Sequence, residues 1–86
     1  MNSFHLKIVT PDGVCYDGDA QSVTVRSITG DIGILARHID ITSPLGEGEA
    51  RVMIDGETRR AHCSRGLLSV QNGEVTLLPA VFRWKE

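Results

Sequence analysis

Apolar and polar residues alternate with a period of two along most of the chain, and no window of a dozen residues carries a convincing 3.6-residue period. Phe4, Leu6 and Ile8 alternate with His5 and Lys7, the pattern of a half-buried first strand. Pro11-Asp12-Gly13 then turns the chain, because proline presets φ at the first turn position and glycine accepts a positive φ. Val14 and Tyr16 open a short second strand, and Asp17-Gly18-Asp19 is expected to turn again. Val23 and Val25 carry a third strand, and Ile34-Leu35 and Ile39-Asp40-Ile41 flank a bend around Arg37-His38. Further on, Val52-Met53-Ile54 meets Asp55-Gly56 before Glu57 to Cys63. Leu68-Ser69-Val70 meets Asn72-Gly73 before Val75-Thr76-Leu77. Asp-Gly and Asn-Gly between alternating segments are strong hairpin signals, since both central residues of the favoured turn need positive φ.

Many short strands at turn spacings of ~8–12 residues define an all-β class, sandwich or barrel. A single small domain builds this as two packed antiparallel sheets around a shared core. Val23, Val25, Ile34, Val52, Ile54, Ala61, Cys63, Val70, Val75 and Leu77 are expected to face inward. The 86 residues fit one domain, and a chain this short buries only roughly 60–65% of its unfolded surface. Its 41% hydrophobic and 23% charged content is that of an ordinary globular chain. The net charge of −2 is spread along the sequence, which argues against nucleic acid and against intrinsic affinity for anionic lipid. No apolar run approaches the ~20 residues that span a bilayer. The N-terminus lacks the basic start and apolar stretch of a signal peptide, so the chain reads as cytosolic, with Cys15 and Cys63 reduced.

Candidate chemistry is sparse. Cys15, His38, His62 and Cys63 suggest a metal site by type only. His62 and Cys63 are adjacent in a strand pattern and point to opposite faces, and no Cys-x-x-Cys or His-x-x-x-His pair exists. A small core cysteine and a surface histidine explain them better. No nucleophile elbow supports a hydrolase, and a sandwich this small has little room for an enclosed pocket of ~300 Å3. No metal, cofactor or catalytic residue is expected.

The least generic stretch is Gly30-Asp31-Ile32-Gly33-Ile34-Leu35-Ala36-Arg37-His38. As a phosphate-cradling loop it lacks the third glycine, the Lys-Ser/Thr and a following helix. Taken without family context, its glycines mark a bulge or tight bend, Asp31 a turn-stabilising acid at a loop tip, and His38 an exposed loop residue. The run resembles the signature loop of the N-terminal domain of the epsilon subunit of F-type ATP synthases, Gly-Glu/Asp-x-Gly-Ile/Val-Leu-Pro-x-His. Four further segments resemble that family in register: Leu6-x-Ile8-Val9-Thr10-Pro11, Gly48-x-Ala50-Arg51-Val52, Cys63-Ser64-Arg65-Gly66-Leu67-Leu68-Ser69-Val70 and Asn72-Gly73-Glu74-Val75-Thr76-Leu77-Leu78. Ala36 stands where proline is usual, so the loop is less rigid. Arg65 replaces a family glycine, where a positive φ would be strained.

The resemblance implies a two-sheet antiparallel β-sandwich of about ten short strands over residues 1–86, with the family's C-terminal helical hairpin domain absent. The chain is then a short form or a piece cut at the domain boundary. It implies a non-catalytic central-stalk subunit that docks on the gamma subunit and on the c-ring of a proton- or sodium-translocating ATP synthase. Such a subunit is monomeric alone and sits at the cytoplasmic face of a bacterial membrane only through the complex. By the same resemblance Thr29, Gly30 and Asp31 meet the c-ring, and Thr10, His38 and Ser43 meet gamma. A partner contact also needs an apolar patch, for which Phe82 and Trp84 are candidates if they are not packed on the core. The alternative is a free-standing sandwich adaptor that binds a peptide by adding a strand to a sheet edge.

Overall fold

The alternation becomes ten strands in the computed structural model, which describes residues 2–36 and 40–85. They are β1 (Phe4–Thr10), β2 (Gly13–Ala20), β3 (Ser22–Ser27), β4 (Gly30–Leu35), β5 (Ile41–Leu45), β6 (Gly48–Ile54), β7 (Glu57–Cys63), β8 (Gly66–Gln71), β9 (Glu74–Pro79) and β10 (Phe82–Trp84). The hydrogen-bonded order is β10-β7-β6-β3-β5-β8-β9-β1-β2, with β4 paired to β3. β3 is the hinge of this path. Its Ser22 to Thr24 pair with Met53 to Arg51 of β6, whereas Ser27 at its far end pairs with Leu45 of β5. The sheet therefore folds over into two layers, β10-β7-β6-β3-β4 and β5-β8-β9-β1-β2.

The pairings are antiparallel apart from β1 with β9, which run parallel. That pair joins the two ends of the chain, so no short hairpin imposes an antiparallel direction on it. Between the layers lies one core, in which Leu6, Ile8, Val23, Ile34, Val52, Leu68 and Leu77 are fully buried. Of the ten residues expected inward, Ile54 alone is half-buried, and it still packs against the core.

Asp55 and Gly56 have φ of 52° and 80°, and Asn72 and Gly73 have 53° and 79°, so both turns take the twist that a right-handed hairpin needs. Three local expectations change. Asp17-Gly18-Asp19 does not turn but continues β2, with the Tyr16 hydroxyl donating to the Asp19 carbonyl across Gly18 at 2.5 Å. Arg65 is not among the positive-φ residues, so it carries no such strain. Phe82 is buried and Trp84 half-buried. Their rings meet edge to face at 4.9 Å, Tyr16 packs on Trp84 at 6.3 Å, and the Arg59 guanidinium covers it at 4.1 Å. These aromatics tie β10 to β2 and are not a free patch.

Candidate docking surfaces

The Gly30 to Leu35 run is strand β4 of a hairpin with β3, not a bend. The tip lies before it, at Ile28 and Thr29. Ser27 is buried, and its hydroxyl donates to the Gly30 carbonyl at 2.6 Å while accepting the Thr29 N–H at 3.2 Å. Gly30 has φ of 130°, which only glycine adopts without strain. The tip is therefore held rigidly by its own residues, and it presents Ile28, 73% exposed. Asp31 is not at the tip. It stands opposite Arg26 on the outer face, with the Arg26 Nε donating to it at 3.0 Å and an Arg51 nitrogen 3.9 Å away. Sequence placed Asp31 at the apex because the Gly-x-x-Gly spacing looked like a loop; its strand pairing reveals an acid already compensated by two arginines.

Thr10 ends β1 with a buried side chain that holds the following turn: its hydroxyl accepts the Asp12 N–H at 3.2 Å and donates to the Gly13 carbonyl at 3.4 Å. Ser43 on β5 is half-buried, and its hydroxyl donates to the Pro44 carbonyl at 3.3 Å. His38 lies outside the described residues. Thr10 and Ser43 share one end of the β5-β8-β9-β1-β2 layer and face inward there, in phase with Ile8 and Leu68, and the outer face of that end carries a surface that sequence did not reveal. Pro44 pairs with Leu67, Leu67 with Leu78, and Val9 with Val14. Val9 and Leu78 each follow the Ile8–Leu77 pair and line one shallow depression of about 380 Å3.

Pro44, Leu67, Leu78, Val9 and Val14 thus form one apolar row across five strands. At a strand separation of ~4.8 Å it is roughly 19 Å long. Leu67, Leu78 and Val14 are 39%, 43% and 59% exposed. Each looks like an isolated surface hydrophobe in sequence; only the register aligns them.

The same outer face is charged beyond the row. His5 bridges β2 and β9, with Nε2 2.5 Å from Asp17 and Nδ1 3.3 Å from Glu74. The hydrogen bond to Asp17 is the main influence that raises the His5 pKa, against a smaller opposing effect of desolvation. Cys15 and Cys63 are free, and burial pushes the Cys63 thiol up to about 11. His62 points outward toward Glu47 at 3.4 Å while Cys63 is buried, so they diverge as the alternation requires. Among the described residues no group of three His, Cys, Asp or Glu side chains converges as metal ligands, and no helix is long and apolar enough to cross a membrane.

Residues 3–85 match the family model described as the ATP synthase Delta/Epsilon chain beta-sandwich domain. The ATP synthase epsilon chain of Bacillus velezensis is 45% identical over 78 residues, covering 91% of this chain and 59% of its own length. That of Caldicellulosiruptor bescii is 36% identical over 86 residues, covering 100% and 63%. The chain therefore spans about three fifths of these relatives. Among solved structures, a chain of the Euglena gracilis mitochondrial ATP synthase, described as OSCP/F1/c-ring, superposes with a TM-score of 0.89 at 21% identity, covering 95% of this chain and 53% of that one. A chain of the Tetrahymena thermophila central stalk/c-ring assembly does so with 0.78 at 10%, covering 91% and 63%. These structural matches establish the likeness of fold.

Proposed function

Because this chain belongs to the ATP synthase delta/epsilon family through its β-sandwich domain, we propose that it is a non-catalytic part of the rotor of an F-type ATP synthase. It docks on the gamma subunit and on the c-ring, coupling ion flow to ATP synthesis. Its place is the cytoplasmic face of a bacterial membrane, held there through the complex. The apolar row Pro44–Leu67–Leu78–Val9–Val14 is the observation that carries this reading. It supplies the dry centre that a stable protein contact requires, and it lies at the same end of the layer as Thr10 and Ser43, which face inward there and which the family resemblance assigns to gamma together with His38. The β3–β4 tip, with Thr29, Gly30 and the neighbouring Asp31, is the separate c-ring contact. The fold suits a coupling role physically: a doubly layered sheet with one buried core resists shear, and torque passes between two faces without any moving element.

Co-purification with gamma tests the proposal. Leu67→Asp with Leu78→Lys puts two charges, opposite in sign across their β8–β9 pair, into the contact without touching the core. The double variant should keep its melting temperature within a few degrees and lose gamma. Undiminished gamma binding would refute the assignment. Retention of unrelated extended peptides on the outer edge of β4 instead would favour the strand-addition adaptor.

A further inference from the structure

The opposite outer face, on the β10-β7-β6-β3-β4 layer, carries charge of which the docking scheme above uses only Asp31. Arg26, Arg51, Arg60, Arg83 and Lys85 stand on it, five of the chain's nine Lys and Arg residues, although the net charge of the chain is −2. The charges that look dispersed along the sequence are thus gathered by the register. Three of these cations form a row. Arg51 lies directly opposite Arg60, and the Lys85 N–H donates to the Arg60 carbonyl at 2.8 Å, which sets Lys85 on the other side of Arg60.

Like charges directly opposite each other weaken a sheet, so the row is unfavourable for the free domain. Its internal compensation is partial. Glu49 lies 3.2 Å from Lys85 and 3.9 Å from Arg51, and Asp31 mainly engages Arg26. Arg60, in the middle, makes no close ion pair among the described residues and is attracted only at longer range by Glu49.

We propose that this face is an interaction surface for an acidic helix of a partner protein, whose carboxylates engage Arg51, Arg60 and Lys85. The spacing selects a helix. The backbones that carry the three cations are ~4.8 Å apart from one to the next, close to the ~5–6 Å between side chains three or four apart on a helix. Carboxylates on one side of an extended strand recur only every roughly 6.6–6.8 Å. The arginine forks add bidentate recognition of carboxylate. A lipid surface or a nucleic acid fits less well. The rings of Phe82 and Trp84 pack inward, so neither is offered to a base or a bilayer. The proposal does not depend on the rotor assignment, whose gamma contact uses the other layer and whose c-ring contact is the β3–β4 tip, away from Arg60 and Lys85.

The test is a titration of the isotope-labelled chain, followed by backbone amide shifts, with a stapled helical peptide bearing Glu at successive fourth positions. Saturable shifts confined to β6, β7, β10 and Lys85 are expected. Arg60→Gln should weaken binding about tenfold, in line with loss of a charge-assisted contact. It should also raise the melting temperature of the free chain by relieving the like-charge row. Four results would overturn the proposal: equal binding of a peptide of the same composition with its Glu positions permuted, stronger binding of phosphatidylserine vesicles or of a DNA duplex, unchanged affinity in Arg60→Gln, or a lowered melting temperature in that variant.

Discussion

The carbonyl oxygen of Leu78 fills the space where a side chain at Gly66 would begin: a Cβ there would sit 2.2 Å from that oxygen and 2.5 Å from the Pro79 Cα. The obstacle is backbone, so no side chain can swing aside to admit a methyl group. Gly66→Ala should therefore separate β8 from β9 locally and cost about 1–3 kcal/mol or more, as overpacking does. Urea unfolding measures this. The same change should disturb the apolar row, because Leu67 and Leu78 flank the contact. Arg65→Gly, one residue earlier, should stay within about ±0.5 kcal/mol, the usual range for an exposed position without special backbone demands.

Val52 is fully buried between the layers. Val52→Ala removes two methyl groups from a core that cannot fully collapse around the gap, and should cost on the order of 1–3 kcal/mol. An unfolding midpoint equal to that of the parent chain would show that the sheets do not enclose position 52.

Much of this architecture was legible in the sequence because two local rules do not depend on the rest of the chain. Alternation marks Val23, Val25, Val70, Val75 and Leu77 as inward, and Asp-Gly and Asn-Gly mark hairpins whichever sheet they join. What was not legible depends on register. The apolar row draws one residue from each of five strands, and the basic row one from each of two strands and a third, Lys85, from just beyond β10. Asp31 looked like a loop residue because its partner, Arg26, is recognised only once β3 and β4 pair. Asp17-Gly18-Asp19 has turn composition, but pairing with β1 overrides it. Trp84 looked available at the end of the sequence, yet Tyr16 and Arg59, both distant along the chain, enclose it.

His5 gives the domain a pH dependence of known sign. Its folded-state pKa is raised, chiefly by the hydrogen bond to Asp17 with Glu74 assisting. Protonated His5 therefore favours the folded state. That contribution is complete below the unfolded value near 6.5 and is lost as pH rises through the folded pKa. Proton NMR should place the His5 midpoint above 6.5, and Asp17→Asn should bring it down. The melting temperature should fall between pH 6 and pH 8, and His5→Gln should remove that component. A His5 midpoint at or below 6.5 would refute the bridge.

The two thiols should differ sharply in reactivity. Cys63 is buried with its pKa pushed up to about 11, and its Sγ donates to the Ser64 carbonyl at 3.6 Å. The thiolate is the reactive species, so native Cys63 should be nearly inert to an alkylating reagent at neutral pH. Cys15, half-buried on the edge strand β2, should react first. Mass mapping after brief alkylation, with and without denaturant, checks the order. Native labelling of Cys63 ahead of Cys15 would contradict the burial.

Asp31 offers the sharpest separation between a structural and a docking role. Its pairs with Arg26 and Arg51 are exposed, about half accessible on each side chain, and such pairs contribute only ~0–1 kcal/mol. Asp31→Asn should therefore barely shift the melting temperature. Asp31→Lys adds a third positive charge beside two arginines and should lower it modestly. If the carboxylate also faces a basic c-ring loop, c-ring binding per folded molecule should weaken in the Asn variant and further in the Lys variant. Added salt should narrow the difference, because exposed charges are screened. If Asp31 only holds Arg26 in place, Arg26→Gln should reproduce the stability change of Asp31→Asn, and all three variants should bind the c-ring like the parent. Measuring melting and c-ring binding on the three variants at two salt concentrations distinguishes the roles, since a structural acid moves only the first and a docking acid mainly the second.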